Sequence, residues 1–261
     1  MSKAVIVTSI KGGVGKTTVS ASTAYALSAQ GYKVLAVDMD LGAGGLDIAL
    51  GCENTVAPPV TDVLSGAASL EDAVISSPFE NLDFISSPMT KDSFIPITEE
   101  QMEKALSLMK NAYDFVIFDM PAGGGEYFEL LASSKQITLI NVVTTDSVYA
   151  VRAAEKTVYE LSEMISENCN VRLIINGYDL NTPSSNSEGI LSLIFTVKAE
   201  LLGIVPYDPD AEKHIRRGIP LSSLKRSGAG KALTNTATRM TGKNVPVMEG
   251  IVSRRKRKKF Y

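Results

Sequence analysis

Residues 11 to 18 read Lys-Gly-Gly-Val-Gly-Lys-Thr-Thr; they follow the apolar run Ala4–Val7 and open directly onto a helical pattern. Glycines at 12, 13 and 15 let the backbone curl tightly and turn several N–H groups inward, where the dipole of the next helix adds partial positive charge. Lys16 supplies formal charge for β- and γ-phosphates. Thr17 is placed to offer its hydroxyl to Mg2+, a hard cation that takes oxygen ligands. Strand, glycine-rich turn and helix N-terminus make a phosphate cradle, with Gly12, Gly13, Val14, Gly15, Lys16, Thr17 and Thr18 as its donors.

Three aspartates stand where such a cradle needs them. The run Lys33 to Asp38 is apolar from Val34 to Val37 without alternation, as in a parallel strand covered on both faces, and it delivers Asp38 and Asp40 to its carboxyl end. Open α/β sheets bind their ligands at that edge. Two carboxylates beside bound phosphates would repel them unless they act through Mg2+, its waters or an attacking water. Four apolar residues, Phe115 to Phe118, end in Asp119, which reads as a Walker B strand whose aspartate holds Mg2+ through water.

The elements that position these residues follow in alternation. Helical spacing is predicted over 16–29, with Gly31 as its stop, and then over 61–64, 70–74, 99–110, 147–165, 210–217 and 229–240. Further strands are predicted at 82–85, 136–143 and 171–176, and residues 182–189 read as an exposed polar loop. The glycine-rich stretch Leu41–Asp47 is free to rearrange. This order predicts an α/β fold, a mainly parallel twisted sheet with helices on both faces and the site at the strands' carboxyl ends.

At 261 residues the chain suits one large domain, and 44% hydrophobic with 21% charged residues is ordinary for a soluble globular protein. No apolar stretch approaches the ~20 residues that span a bilayer, and Met1-Ser2-Lys3 leads straight into a strand, so no signal peptide is expected. Cys52 and Cys169 form no C-x-x-C pair, and the single histidine, His214, argues against a histidine-rich metal site. A reducing cytosol is the expected home. The net charge of −3 conceals an asymmetry: residues 254–259, Arg-Arg-Lys-Arg-Lys-Lys, hold six of the 26 basic residues, leaving 20 against 29 acidic ones. A basic tail on an acidic body is the part suited to a polyanion.

The phosphate loop departs from the usual Walker A spacing, because Ile10 stands where the first glycine would fall and a second lysine, Lys11, follows it. The pattern Lys-Gly-Gly-x-Gly-Lys-Thr resembles the deviant Walker A of the MinD/ParA family of ATPases. That resemblance, which runs from residue 3 to about 240, implies ATP and Mg2+ as cofactors and an ATP-dependent homodimer in which Lys11 contacts phosphates bound by the partner subunit. It implies Lys11, Lys16 and Asp40 as the catalytic set, with Asp40 orienting or deprotonating the attacking water. Thr17, Asp38 and Asp119 become the metal set, with Asp38 in the metal's water shell. The glycine loop after Asp40 resembles the family's first switch, and Asp119-Met-Pro-Ala-Gly-Gly-Gly125 its second. Asn176 matches an asparagine that hydrogen-bonds adenine in many relatives, although Gly177 stands where arginine often follows. Pro206 and Asp208 fall in a segment whose backbone reads the base edge.

The family also implies a positioning ATPase, stimulated by a separate activator protein, that resides on a surface in one nucleotide state. Residues 1–244 form the ATPase domain in this reading and residues 245–261 the tail. As in the MinD branch, residues 248–261 would meet an anionic membrane: Met248, Ile251 and Val252 share a helical face, and each basic residue near an anionic leaflet contributes about 1 kcal/mol. The expected location is cytoplasmic, peripheral at the inner face of the cell membrane. The same tail would bind DNA phosphates non-specifically, as in a ParA-type partitioning or a flagellar or pilus-positioning relative. A bacterial P-loop tyrosine kinase is a poorer match, since only Tyr261 follows residue 207. A scaffold that binds ATP without turnover is disfavoured by Asp38, Asp40 and Asp119.

Overall fold

The computed structural model describes residues 2–42, 44–88, 94–180 and 187–251. Eight strands form one sheet: β1 (Lys3–Ser9), β2 (Val34–Asp38), β3 (Ile75–Ser76), β4 (Leu82–Ile85), β5 (Phe115–Ala122), β6 (Ile137–Thr144), β7 (Asn170–Tyr178) and β8 (Glu200–Pro206). Their order is β3-β4-β2-β5-β1-β6-β7-β8, parallel except for the short β3 against β4. Helices α1 (Lys16–Ser28), α2 (Leu46–Leu50), α3 (Val60–Ser65), α4 (Leu70–Ala73), α5 (Glu99–Ala112), α6 (Phe128–Ser133), α7 (Val148–Met164), α8 (Ser187–Val197), α9 (Ala211–Ile215) and α10 (Gly228–Met240) lie between them.

The sheet separates two hydrophobic layers, and alternation along β1 shows how. Ala4 and Ile6 pack with Met102 and Leu106 of α5, Leu131 of α6, Ala154 and Leu161 of α7 and Val197 of α8. Val5 and Val7 pack on the other face with Val19 and Leu27 of α1, Leu46 of α2, and Leu233 and Ala237 of α10. Every residue of β2 is buried, because both faces of a central parallel strand are covered. The predicted mainly parallel sheet with helices on both faces is the fold observed.

Local chemistry sets the helix starts. Thr98 and Gln101 form a capping box on α5, and Ser147 and Ser227 cap α7 and α10 by accepting from Ala150 and Gly230 N–H. The short helix α2 begins within the glycine-rich stretch read as a flexible loop. The segment 182–189 read as a loop is helical from Ser187 onward, its earlier part lying outside the described residues.

Beyond α10 the chain does not leave the domain at once. Arg239 donates to the carbonyls of Val245 and Pro246, and Asn235 Nδ2 to that of Glu249 at 2.7 Å, so residues 245–251 lie against α10. Met248 and Ile251 sit in a hydrogen-bonded turn here, not in the expected helix; Pro246 occupies its start and Gly250 takes φ +69°, which tightens the chain into a turn. Val252 and the basic run 254–259 lie outside the described residues. Among the described residues no helix is long and apolar enough to cross a membrane.

Candidate nucleotide site

Register brings the chemistry together. Asp38 of β2 stands opposite Asp119 of β5, and Asp119 stands opposite Val7 of β1, two residues before β1 ends and the phosphate loop begins. The aspartates of two separate motifs thus lie side by side at the carboxyl edge, next to the loop.

The loop is shaped as a cradle. Gly13 and Gly15 take φ of +75° and +90°, a region that side chains rarely adopt. The 13-residue helix α1 starts directly after Gly15 with no side chain capping its N-terminus, so the N–H groups of its first turn are available to an anion. Val14 is buried beneath the loop, whereas Lys11, Gly12 and Gly13 are exposed. Thr17 and Thr18 are half-buried in the first turn.

Lys16 is buried, and desolvation pushes its ammonium down from the usual lysine range while Asp119 and Asp40 pull it back up. Asp119 is buried and held: Ser20 Oγ donates to its Oδ1 at 2.8 Å and Thr17 donates to it as well. Burial raises its pKa to about 6, against the hydrogen bonds and Lys16, which lower it. Asp38 is raised to about 7, chiefly by burial and then by the neighbouring Asp119 charge. Two desolvated carboxylates that disfavour each other's ionisation form an arrangement that a divalent cation relieves. The uncapped helix, the left-handed glycines and this carboxylate pair together fit Mg2+-bound phosphates.

Asp38 does more than face the cradle. Its Oδ1 accepts from Asp40 N–H at 2.9 Å, and its Oδ2 from Gly45 and Leu46 N–H at 3.2 Å each, so it caps α2 from across a loop. A Cβ on Gly44 would fall 2.6 Å from that Oδ2 and 2.6 Å from Ser87 Oγ, so only glycine fits. The loop read as free to rearrange is here folded back onto Asp38 through Gly45 and Leu46.

The second glycine-rich segment is tied to the same place. Gly123 N–H donates to Ser9 O at 3.2 Å, at the root of the phosphate loop, and a Cβ on Gly12 would rest 3.7 Å from Ala122 Cβ. Asn176 reaches across from β7, its Nδ2 donating to Val14 O at 2.7 Å, and lies so near that a Cβ on Gly15 would approach that nitrogen to 2.2 Å. Gly177, at φ +68°, lies in a register irregularity between Ile175 and Tyr178, a backbone conformation that favours glycine. β8 ends at Pro206. Both carboxylate oxygens of Asp208 are used within the fold, accepting from Asp210 N–H at 3.0 Å and Ser227 Oγ at 2.9 Å. The structure thus gathers the loop, Lys16, Asp38, Asp40, Asp119 and Asn176 into one site, with Lys11 on its outer side.

Sequence reasoning missed Ser20 and the brace function of Asn176. Ser20 was reachable, since it lies three positions beyond Thr17 on one helical face. The brace was not, because it joins residues 162 apart.

Fold and loop define a P-loop protein of the MinD/ParA class. A family profile described as an AAA domain matches residues 2–175. The septum site-determining protein MinD of Bacillus subtilis is 30% identical over 250 residues, covering 95% of this chain and 92% of that protein. Among solved structures, the MinC:MinD cell division protein complex of Aquifex aeolicus superposes with a TM-score of 0.82 at 28% identity, covering 94% of this chain and 98% of that one. MinD complexed with Mg-ADP from Pyrococcus horikoshii gives 0.78 at 27% identity, covering 92% and 96%. The chain belongs to the AAA domain family and, within it, to the MinD group of septum site-determining P-loop ATPases.

Proposed function

We propose that the chain is an ATP-hydrolysing, ATP-dimerised switch that helps place the division site by associating with an anionic membrane surface when ATP is bound. The observation that carries this reading is the convergence of Lys16, Asp38, Asp40 and Asp119 on an uncapped helix N-terminus. Loop N–H groups from Gly12 to Thr18 and Lys16 would hold the phosphates, and Thr17, Asp119 and Asp38 would hold Mg2+ and its waters. The cation would neutralise charge on the phosphate oxygens. Asp40, close enough to Lys16 to raise its proton affinity, orients the attacking water or accepts its proton. Asn176 and the backbone from Pro206 to Asp208 flank the base.

Lys11 is exposed on the outer face of the loop, which suits contact with phosphates held by a second copy. A phosphate clamped by Lys16 of one chain and Lys11 of the other is bound only by the dimer, so ATP shifts the monomer–dimer equilibrium through differential affinity. Two tails on one particle then bind a surface far more tightly than one. In this reading residues 1–244 form the ATPase unit and 245–261 the surface-binding tail, a partner protein stimulates turnover at the surface, and the location is cytoplasmic and peripheral to the membrane.

The test is co-sedimentation with anionic vesicles and, in parallel, with random duplex DNA, each with ADP or a slowly hydrolysed ATP analogue. The full-length protein is compared with a chain ending at Val252. ATP-dependent vesicle binding that is lost on truncation is the expected result. ATP-dependent binding to DNA alone would move the protein to a ParA-type partitioning role.

A further inference from the structure

The end of the sheet opposite the phosphate loop holds a cavity of about 600 Å3, within the size range of small-molecule sites. Its walls are the amino ends of the strands, the last turn of α10 and the segment that follows it. Four basic residues line it, Lys3, Arg172, Arg239 and Lys243, against one acid, Glu200. Outside residues 254–259 the chain has the opposite balance, 20 basic to 29 acidic residues.

Arg172 is paired with Glu200 at 2.5 Å. Among the described residues, no carboxylate lies within ion-pair distance of the other three. Two of these charges, on Arg239 and Lys3, are nevertheless fixed in place, while Lys243 is an exposed residue of the wall. Arg239 is half-buried and donates to the carbonyls of Leu202 at 2.5 Å, Val245 at 3.0 Å and Pro246 at 3.3 Å, and to Thr236 Oγ1 at 3.3 Å. Lys3 Nζ donates to Met240 O at 2.7 Å. These partners are all neutral, so they orient the cations without cancelling them, and burial pushes the Arg239 guanidinium down from its usual range. A desolvated, unpaired cation is costly, and an anion in the cavity would offset that cost.

We propose that this cavity binds a phosphate ester, either free in solution or carried on a lipid headgroup. Three unpaired cations converging on one cavity suit a group that carries between one and two negative charges on several oxygens, and guanidinium and ammonium groups are its usual partners. The site lies at the far end of the sheet from the phosphate loop and does not rest on the nucleotide reading. Its wall, residues 242–247, leads within seven residues to the basic run that starts at 254.

The test follows backbone amide resonances of the full-length chain with the phosphate loop saturated by Mg-ADP. Glycerol 3-phosphate is titrated in one arm; phosphatidylglycerol nanodiscs, with phosphatidylcholine nanodiscs as control, are used in the other. Saturable shifts centred on Lys3, Thr138, Asn170 and Lys243 are expected. They should weaken at least tenfold in Lys243→Glu and persist when the six basic residues at 254–259 are replaced by glutamine. Response to glycerol 3-phosphate assigns a soluble ester, and response only to phosphatidylglycerol assigns the headgroup. The proposal is overturned by no shift in either arm, by shifts that survive Lys243→Glu, or by shifts that vanish with the tail charges. Lys3→Gln repeats the test should Lys243→Glu lose its native circular dichroism. Failure of Mg-ADP to move Gly13 and Gly15 would count against the nucleotide reading alone.

Discussion

Asn176→Ala separates two tasks that one side chain has in this site. The resemblance to other family members points to a base contact; the structure shows a brace, Nδ2 to Val14 O at 2.7 Å, beneath a loop that only glycine at 15 allows so close. Removing the amide deletes one hydrogen bond, a net loss of about 0.5–1.5 kcal/mol, and leaves a partly buried carbonyl without that partner, which raises the cost to about 1–2 kcal/mol. Spent on loop order, that amounts to roughly a 5- to 30-fold loss in affinity for whatever the loop holds. The melting temperature should fall by about 2–8 °C for a domain of this size.

The informative assay is calorimetric titration of wild type and variant with Mg-ATP and with magnesium tripolyphosphate, which has the phosphates but no base. A brace weakens both ligands by a similar factor. A residue that acts on adenine weakens Mg-ATP and leaves tripolyphosphate unchanged. The second pattern, with an unchanged melting temperature, would refute the argument that β7 holds the phosphate loop in shape.

Lys16→Ala should abolish nucleotide binding, while Asp40→Ala should keep ATP and the dimer yet stop turnover; phosphate-release and sedimentation measurements check both, and normal turnover in either would contradict the assignment. Gly124→Ala places a Cβ 2.7 Å from Phe128 Cγ at φ +93°, so a loss of about 1–3 kcal/mol is expected in urea unfolding, from left-handed strain plus displacement of that ring. The apo protein should become more stable as pH falls from 8 toward 5. Asp38 and Asp119 have folded pKa values of about 7 and about 6, above those of an unfolded chain, so their protonated forms favour the fold and that advantage is lost as pH rises through those values. The slope is bounded at about 1.4 kcal/mol per pH unit for each proton taken up, and Asp38→Asn should flatten it in unfolding experiments run from pH 5 to 8.

Much of the fold is legible because parallel strands buried on both faces leave unbroken apolar runs, as Val34–Val37 and Phe115–Phe118 do. Asp119 was readable from its place at the end of such a run, and the phosphate loop from its glycines. The elements that escaped are those whose cause lies elsewhere in the chain. Helix α2 is five residues long and has no capping side chain of its own, since its N-terminus is satisfied by Asp38, seven and eight positions earlier. Helix α8 has a polar, proline-containing lead-in that reads as loop until its packing against α7 is known. The Asn176 brace and the carboxylate bonds of Asp208 are likewise tertiary, and nothing local announces them.

Asp38 shows why such contacts bear on mechanism. One carboxylate faces the cradle and also accepts three backbone N–H groups, two of them from the start of α2. Its charge is desolvated and opposed by Asp119, so whatever neutralises Asp119 or draws Asp38 toward a cation changes how strongly it caps α2. Helix α2 packs in turn against α1 and α9, and the glycine at 218, just past α9, approaches Gly51 so closely that a Cβ would meet its Cα at 2.8 Å. A change in charge at the phosphate end therefore has a contiguous packed route to the α9 surface.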